Sequence, residues 1–169
     1  MPSPYAPDDP SHQEIPMTDK SAFTDEEWHA LTDAPLLVTM AIFAAGEHGP
    51  ISMVKEASAS ARSIASPGDR GTASELIAQI AADADSKEAR HDMKEHRSKD
   101  LDATIVSALA DLEPAAAALR AKATTTEAAE VAGWMVDIAT AVAQAAKTVN
   151  PKEQETIEKI TAIFRVTSG

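Results

Sequence analysis

The chain of 169 residues contains no cysteine, only six glycines, and only six aromatic residues (three Phe, two Trp, one Tyr). Without cysteine there is no disulfide scaffold, no thiolate zinc site, no thiol nucleophile and no redox dithiol. So few glycines, with no Gly-rich segment, leave no phosphate-cradling loop; Gly68-Asp69-Arg70-Gly71 after Pro67 reads as a turn. Basic residues are scarce too. Fifteen Lys and Arg face 27 Asp and Glu, a formal net charge of −12, which excludes the basic face that nucleic-acid binding requires. No uninterrupted apolar run reaches the roughly 18 residues of a membrane span, and no basic-then-apolar signal segment opens the sequence. The expectation is a cytoplasmic protein with no membrane insertion and no nucleic-acid partner.

What is abundant is alanine, 35 of the apolar residues by count. Alanine is the best helix former and a poor core filler, so the composition is that of closely packed helices. The expected fold class is all-α: a compact bundle of about six or seven helices with a disordered N-terminal tail. Residues 1–21 form that tail, since residues 1–20, MPSPYAPDDPSHQEIPMTDK, hold five of the ten prolines and show no hydrophobic period. Residues 22–169 form the single helical domain. Acidity concentrates at the front: residues 1–50 carry nine acids against one lysine.

Helix starts are well signalled. Thr24 with Glu27, Thr72 with Glu75, Asp85 with Glu88 and Thr124 with Glu127 have capping-box spacing. Asn150-Pro151 followed by Glu153 supplies an N-cap, a first-turn proline and a first-turn acid. With stops at Gly46 and Pro67-Gly68, helices are expected near 25–45, 52–65, 73–84, 101–112, 115–123, 126–147 and 151–165. Val131, Met135, Ile138, Val142 and Ala145 step by four, three, four and three, which draws one apolar stripe along the sixth. The first is apolar on nearly every side after Asp33, so these two form the centre of the bundle.

Two segments, MAIFAAGEHGPISMVKEA (residues 40–57) and ATAVAQAAKTVNPKEQETIEKI (139–160), repeat one theme: an alanine-rich helix, a short break, then a capped amphipathic helix. This unit resembles the helix-loop-helix of tellurite-resistance TerB-like domains over about forty residues. The resemblance implies a stress-associated helical domain with acidic residues near an Asp-Gly loop associated with metal. Gly46-Glu47-His48-Gly49 and Thr148-Val149-Asn150 stand in the two loops here, and neither keeps Asp-Gly.

Two sets of side chains are candidates for chemistry. Glu26 with His29, and Glu88 with His91, each have the Glu-x-x-His spacing that puts a carboxylate and an imidazole on one helical face, as in di-iron carboxylate bundles. A solvated helix surface explains the same residues. Asp137 is the only ionisable residue between Val131 and Ala146, one turn from Trp134, with Glu130 two turns back. A carboxylate there is either the polar anchor of a small-molecule pocket between the first and sixth helices, beside Trp134 and Glu130, or an acid at the solvent edge, or one paired with Arg120 or Lys122. The run ASASARS at 57–63 is helix surface or a small-residue packing face, and no Ser-His-Asp arrangement can be drawn from spacing. The residues support first a non-catalytic helical protein–protein interaction module, stress-associated, with no cofactor and a basic protein or a second copy as its partner. The alternative is a carboxylate/His bundle holding a divalent metal, as a metalloenzyme.

Overall fold

The computed structural model describes residues 17–46, 50–84, 99–146 and 148–165. Six α-helices and two short 3-10 turns, with no strand, make up the described residues: η1 (Lys20–Ala22), α1 (Asp25–Ala45), α2 (Pro50–Ala65), η2 (Gly71–Ala73), α3 (Ser74–Ala84), α4 (Leu101–Lys122), α5 (Thr125–Ala145) and α6 (Pro151–Ile163). The chain is all-α, as its composition requires.

Three starts carry the reciprocal capping pattern. Thr24 Oγ1 accepts from the Glu27 amide at 3.2 Å while Glu27 accepts from the Thr24 amide at 2.8 Å, and Thr124 with Glu127 repeats this at α5. Asn150 with Glu153 completes it at α6, where Pro151 takes the first position. Each such cap contributes about 1 kcal/mol. Asn150 does more than cap, because its amide nitrogen also donates to the Ala45 carbonyl, 3.2 Å away at the end of α1.

Thr72 does not cap α3. That helix begins at Ser74, and the Thr72 hydroxyl turns to Glu130 on α5 instead. Glu130 takes the Thr72 hydroxyl proton and the Ala73 amide, so a carboxylate from α5 serves the start of α3. The Asp85–Glu88 cap lies outside the described residues, and Asp100 opens α4 by accepting from the amides of Asp102 and Ala103.

Between 101 and 123 the expected two helices are one. Pro114 lies inside α4 and does not end it. Its ring is exposed, as is Ala110, whose carbonyl faces a proline nitrogen that has no proton to give. On the opposite face Leu112, Ala115, Ala116 and Leu119 are buried, and that packing carries the helix past the proline. Pro35 is likewise interior to α1, where the Thr39 hydroxyl donates to its carbonyl at 2.9 Å.

α1 is the axis of the bundle. It packs most extensively along α4, then on α5, and touches α2, α3 and α6 as well. Leu31, Ala34, Val38, Ala41 and Ile42 are fully buried. By length and composition α1 is apolar enough to cross a membrane, yet 67% of its most apolar stretch is buried inside the bundle. From α5, Val131, Trp134, Met135, Ile138 and Val142 complete the centre at 0% exposure, and α6 adds Ile160 and Phe164. The first and sixth of the expected helices, now α1 and α5, are indeed the middle. Each large aliphatic side chain buried there stabilises the fold by about 1.5–3 kcal/mol.

The described chain also moves one expected boundary. Residues 1–16 lie outside the described residues, but Met17 to Ser21, assigned to the tail, are docked: the Thr18 amide donates to Glu127 and the Lys20 amide to Gln79. The cause is long-range hydrogen bonding, which leaves no local pattern.

Candidate functional site

The position of α3 is fixed at both ends by carboxylates. At its start, Glu130 on α5 accepts from the Ala73 amide at 2.6 Å and from the Thr72 hydroxyl at 3.0 Å. The turn before it needs glycine twice: Gly68 has φ +75° and Gly71 φ +67°. A Cβ on Gly71 would stand 2.5 Å from Glu130 Oε1, so this glycine also makes room for the carboxylate. Arg70, in the same turn, donates to Asp137 at 2.6 Å. At the far end of α3, Asp83 accepts from the Trp28 indole at 2.8 Å and from the Lys20 ammonium at 3.0 Å. These donors, the indole first, hold the Asp83 carboxyl below the ordinary carboxylate range.

So fixed, α3 converges with α1 and α2 on an open groove of about 740 Å³. Leu36 and Phe43, two turns apart, come from α1; Ala57, Ala61 and Ile64 from α2; Ala78 and Ala82 from α3. Alanines four residues apart on two facing helices keep the walls low. Among the described lining residues, one polar point interrupts the wall. Thr39 gives its hydroxyl proton to Pro35, so Ser60, 2.7 Å from Thr39 Oγ1, is the donor of the pair, and the two hydroxyls bridge α1 to α2.

The residues singled out from sequence fall in three places. Trp134 is fully buried in the centre and donates its indole N–H to the Ser63 carbonyl at 3.1 Å. Glu130 and Asp137 lie on the outer side of α5 against the η2 turn, the Asp137 side chain 61% exposed. The partner of Asp137 is therefore Arg70, while Arg120 donates to the Ile163 carbonyl at the end of α6. The α1–α5 contact that Asp137 was to anchor is filled by side chains such as Met135 and Ile138. Trp134 thus lies in the core, and Glu130 and Asp137 lie at the η2 turn.

Glu26 and His29 are brought together at a cleft of about 290 Å³ between α1 and α4, beside Asp33 and Asp111. His29 Nε2 stands 3.3 Å from Asp33, one turn on, and its side chain is 58% exposed. Glu88 and His91 lie outside the described residues, as do Glu47 and His48. Among the described residues no group of three or more His, Cys, Asp or Glu is arranged to hold a metal ion.

Sequence reasoning did not find the groove. Its signal was the four-residue spacing of alanines in α2 and α3, already legible at 57–63 as a packing face, but not what faces it. Arg70 was missed because its partner lies 67 residues away. No family model, no curated protein and no solved structure matches this chain.

Proposed function

We propose that this chain is a non-catalytic helical module that binds another protein, taking one amphipathic helix of a basic partner into the α1–α2–α3 groove. The observation that carries the reading is the lining: an apolar trough bounded by three helices, low-walled with alanine, over Leu36 and Ile64. An amphipathic helix laid in such a trough places its large side chains between the walls. The net charge of −12 and the exposed Glu75, one turn before Ala78, favour basic residues on the partner's flank. The stress-associated role implied by the TerB-like resemblance belongs to the same proposal.

The test is a photo-cross-linking residue at Ala78 of the full chain in its native cells, with exposed Glu158 on α6 as control site, and mapping of the linked peptide. The expected peptide is an amphipathic helix with a Lys- or Arg-bearing flank, its yield reduced by Ala61→Arg and by added salt. Cross-links at Ala78 no more frequent than at Glu158, or to a second copy of this chain, would overturn the proposal.

A further inference from the structure

The segment from Met17 to Phe23 crosses from the start of α5 to the end of α3 before entering α1. Its attachment is almost wholly polar. No residue of η1 is buried, Met17 is 53% exposed, and the first side chain that enters the core is Phe23. Among the described residues outside the segment, three acceptors hold it. Glu127 takes the Thr18 amide at 2.8 Å and the Thr18 hydroxyl at 2.6 Å. Asp83 takes the Lys20 ammonium at 3.0 Å, and Gln79 takes the Lys20 amide at 3.0 Å. The Lys20 ammonium also stands 5.3 Å over the Trp28 ring. Two of these three acceptors are titratable, and both bind the segment only through their ionised oxygens.

We propose that Met17–Ala22 is an acid-released strap: protonation of Glu127 and Asp83 frees it as a unit while Phe23 and the α1–α4–α5 core stay packed. A carboxylate accepts at both oxygens, whereas a carboxylic acid carries a donor on one of them. Protonation therefore weakens the two-point grip of Glu127 on Thr18, because it turns charge-assisted bonds into neutral ones and withdraws one oxygen from either the Thr18 or the Thr124 amide. Among the described residues, the other charged groups nearby do not replace it. On the segment itself Asp19 is turned inward to Ser21; on α1 Glu27 is engaged by Thr24; on α3 Glu75 accepts from Gln79; on α5 Glu130 is engaged by η2. Lys20 is the one cation on the strap, and it is spent on Asp83 and Trp28.

The sign follows from the grip. Burial raises the Glu127 carboxyl, but hydrogen bonds from Thr18 and Thr124 outweigh it, so this group, like Asp83, titrates below its ordinary value. A group depressed in the folded state stabilises above its unfolded value and loses that contribution as pH falls through the folded one. The strap is thus fully held at neutral pH and lets go below the ordinary carboxylate range, around pH 4.

The test is amide and indole hydrogen exchange by NMR on the full chain from pH 6 to pH 3, corrected for intrinsic rates, with helicity followed by circular dichroism. Protection of the Thr18 amide and the Trp28 indole is expected to fall together by about tenfold or more between about pH 6 and pH 3. Helicity and the Trp134 indole, which is bound to a carbonyl, should hold. Asp83→Asn, on the exposed side, should blunt the acid response of the strap without unfolding the bundle, and Thr18→Val should move release toward neutral pH. Loss of Thr18 and Trp134 protection at one pH, or an unchanged response in Asp83→Asn, would overturn the proposal.

Discussion

Gly71→Ala isolates the fixture that holds α3 in place. Two costs add. Placing alanine at φ +67° costs about 1–2 kcal/mol, and the new Cβ, 2.5 Å from Glu130 Oε1, displaces the carboxylate from the Ala73 amide and the Thr72 hydroxyl. Losing those two bonds, the first short and charge-assisted, adds about 1–3 kcal/mol at this half-buried position. The total is about 2–5 kcal/mol, a fall in Tm on the order of 5–15 °C for a domain of this size. Gly68→Ala is the internal control, because Gly68 has φ +75° but nothing within 4 Å of its Cβ position. It should cost only the backbone part, about 1–2 kcal/mol. Urea unfolding of both variants, and of Gly71→Ala combined with Glu130→Ala, decides the matter. Once Glu130 is gone the clash is gone, so the double variant should be less destabilised than the sum of its parts. Equal losses for Gly68→Ala and Gly71→Ala, or strict additivity with Glu130→Ala, would refute the reasoning.

Asn150→Ala removes both the cap of α6 and the bond to the Ala45 carbonyl, and should lower stability by about 1–3 kcal/mol in urea unfolding; a loss under about 0.3 kcal/mol would show that neither bond matters. Pro114→Ala restores an amide donor to the middle of α4 and should raise stability by about 1–3 kcal/mol; destabilisation would mean that the proline ring supports the helix rather than being tolerated by it. Glu26→Ala with His29→Ala should leave the thermal melt unchanged in millimolar zinc or manganese. A metal-induced rise in Tm that the double variant abolishes would instead assign this cleft a metal role.

What was legible in the sequence was whatever a helix specifies within one or two turns of itself. Thr24, Thr124 and Asn150 announce their helices because the reciprocal glutamate is three residues away in each case. The stripe from Val131 to Val142 announces a core face because burial repeats with the helical period. Thr72 shows the limit: its spacing to Glu75 is right, but Glu130, 58 residues on, takes its hydroxyl proton and the neighbouring Ala73 amide. Pro114 shows the same limit from the other side, since a proline reads as a break until the buried face opposite it is known. The groove was half visible. Small residues at four-residue spacing say that something packs closely, whereas which helices converge depends on Glu130, Asp83 and the turn at Gly71. Those contacts join residues more than fifty positions apart, and no local pattern encodes them.

The central place of α1 has a consequence for how the chain is made. Its apolar surface is covered chiefly by α4 and α5, which follow it in the chain. Covering it is complete only when the hundred residues between Ala45 and Ala145 have been added. At the usual pace of synthesis that interval is roughly 5–20 s. Throughout it α1, the one described helix long and apolar enough to enter a bilayer, waits without its neighbours. The nascent chain is therefore a natural client for a holding chaperone. Slowing translation between α2 and α5 should increase aggregation even though the finished protein is unchanged.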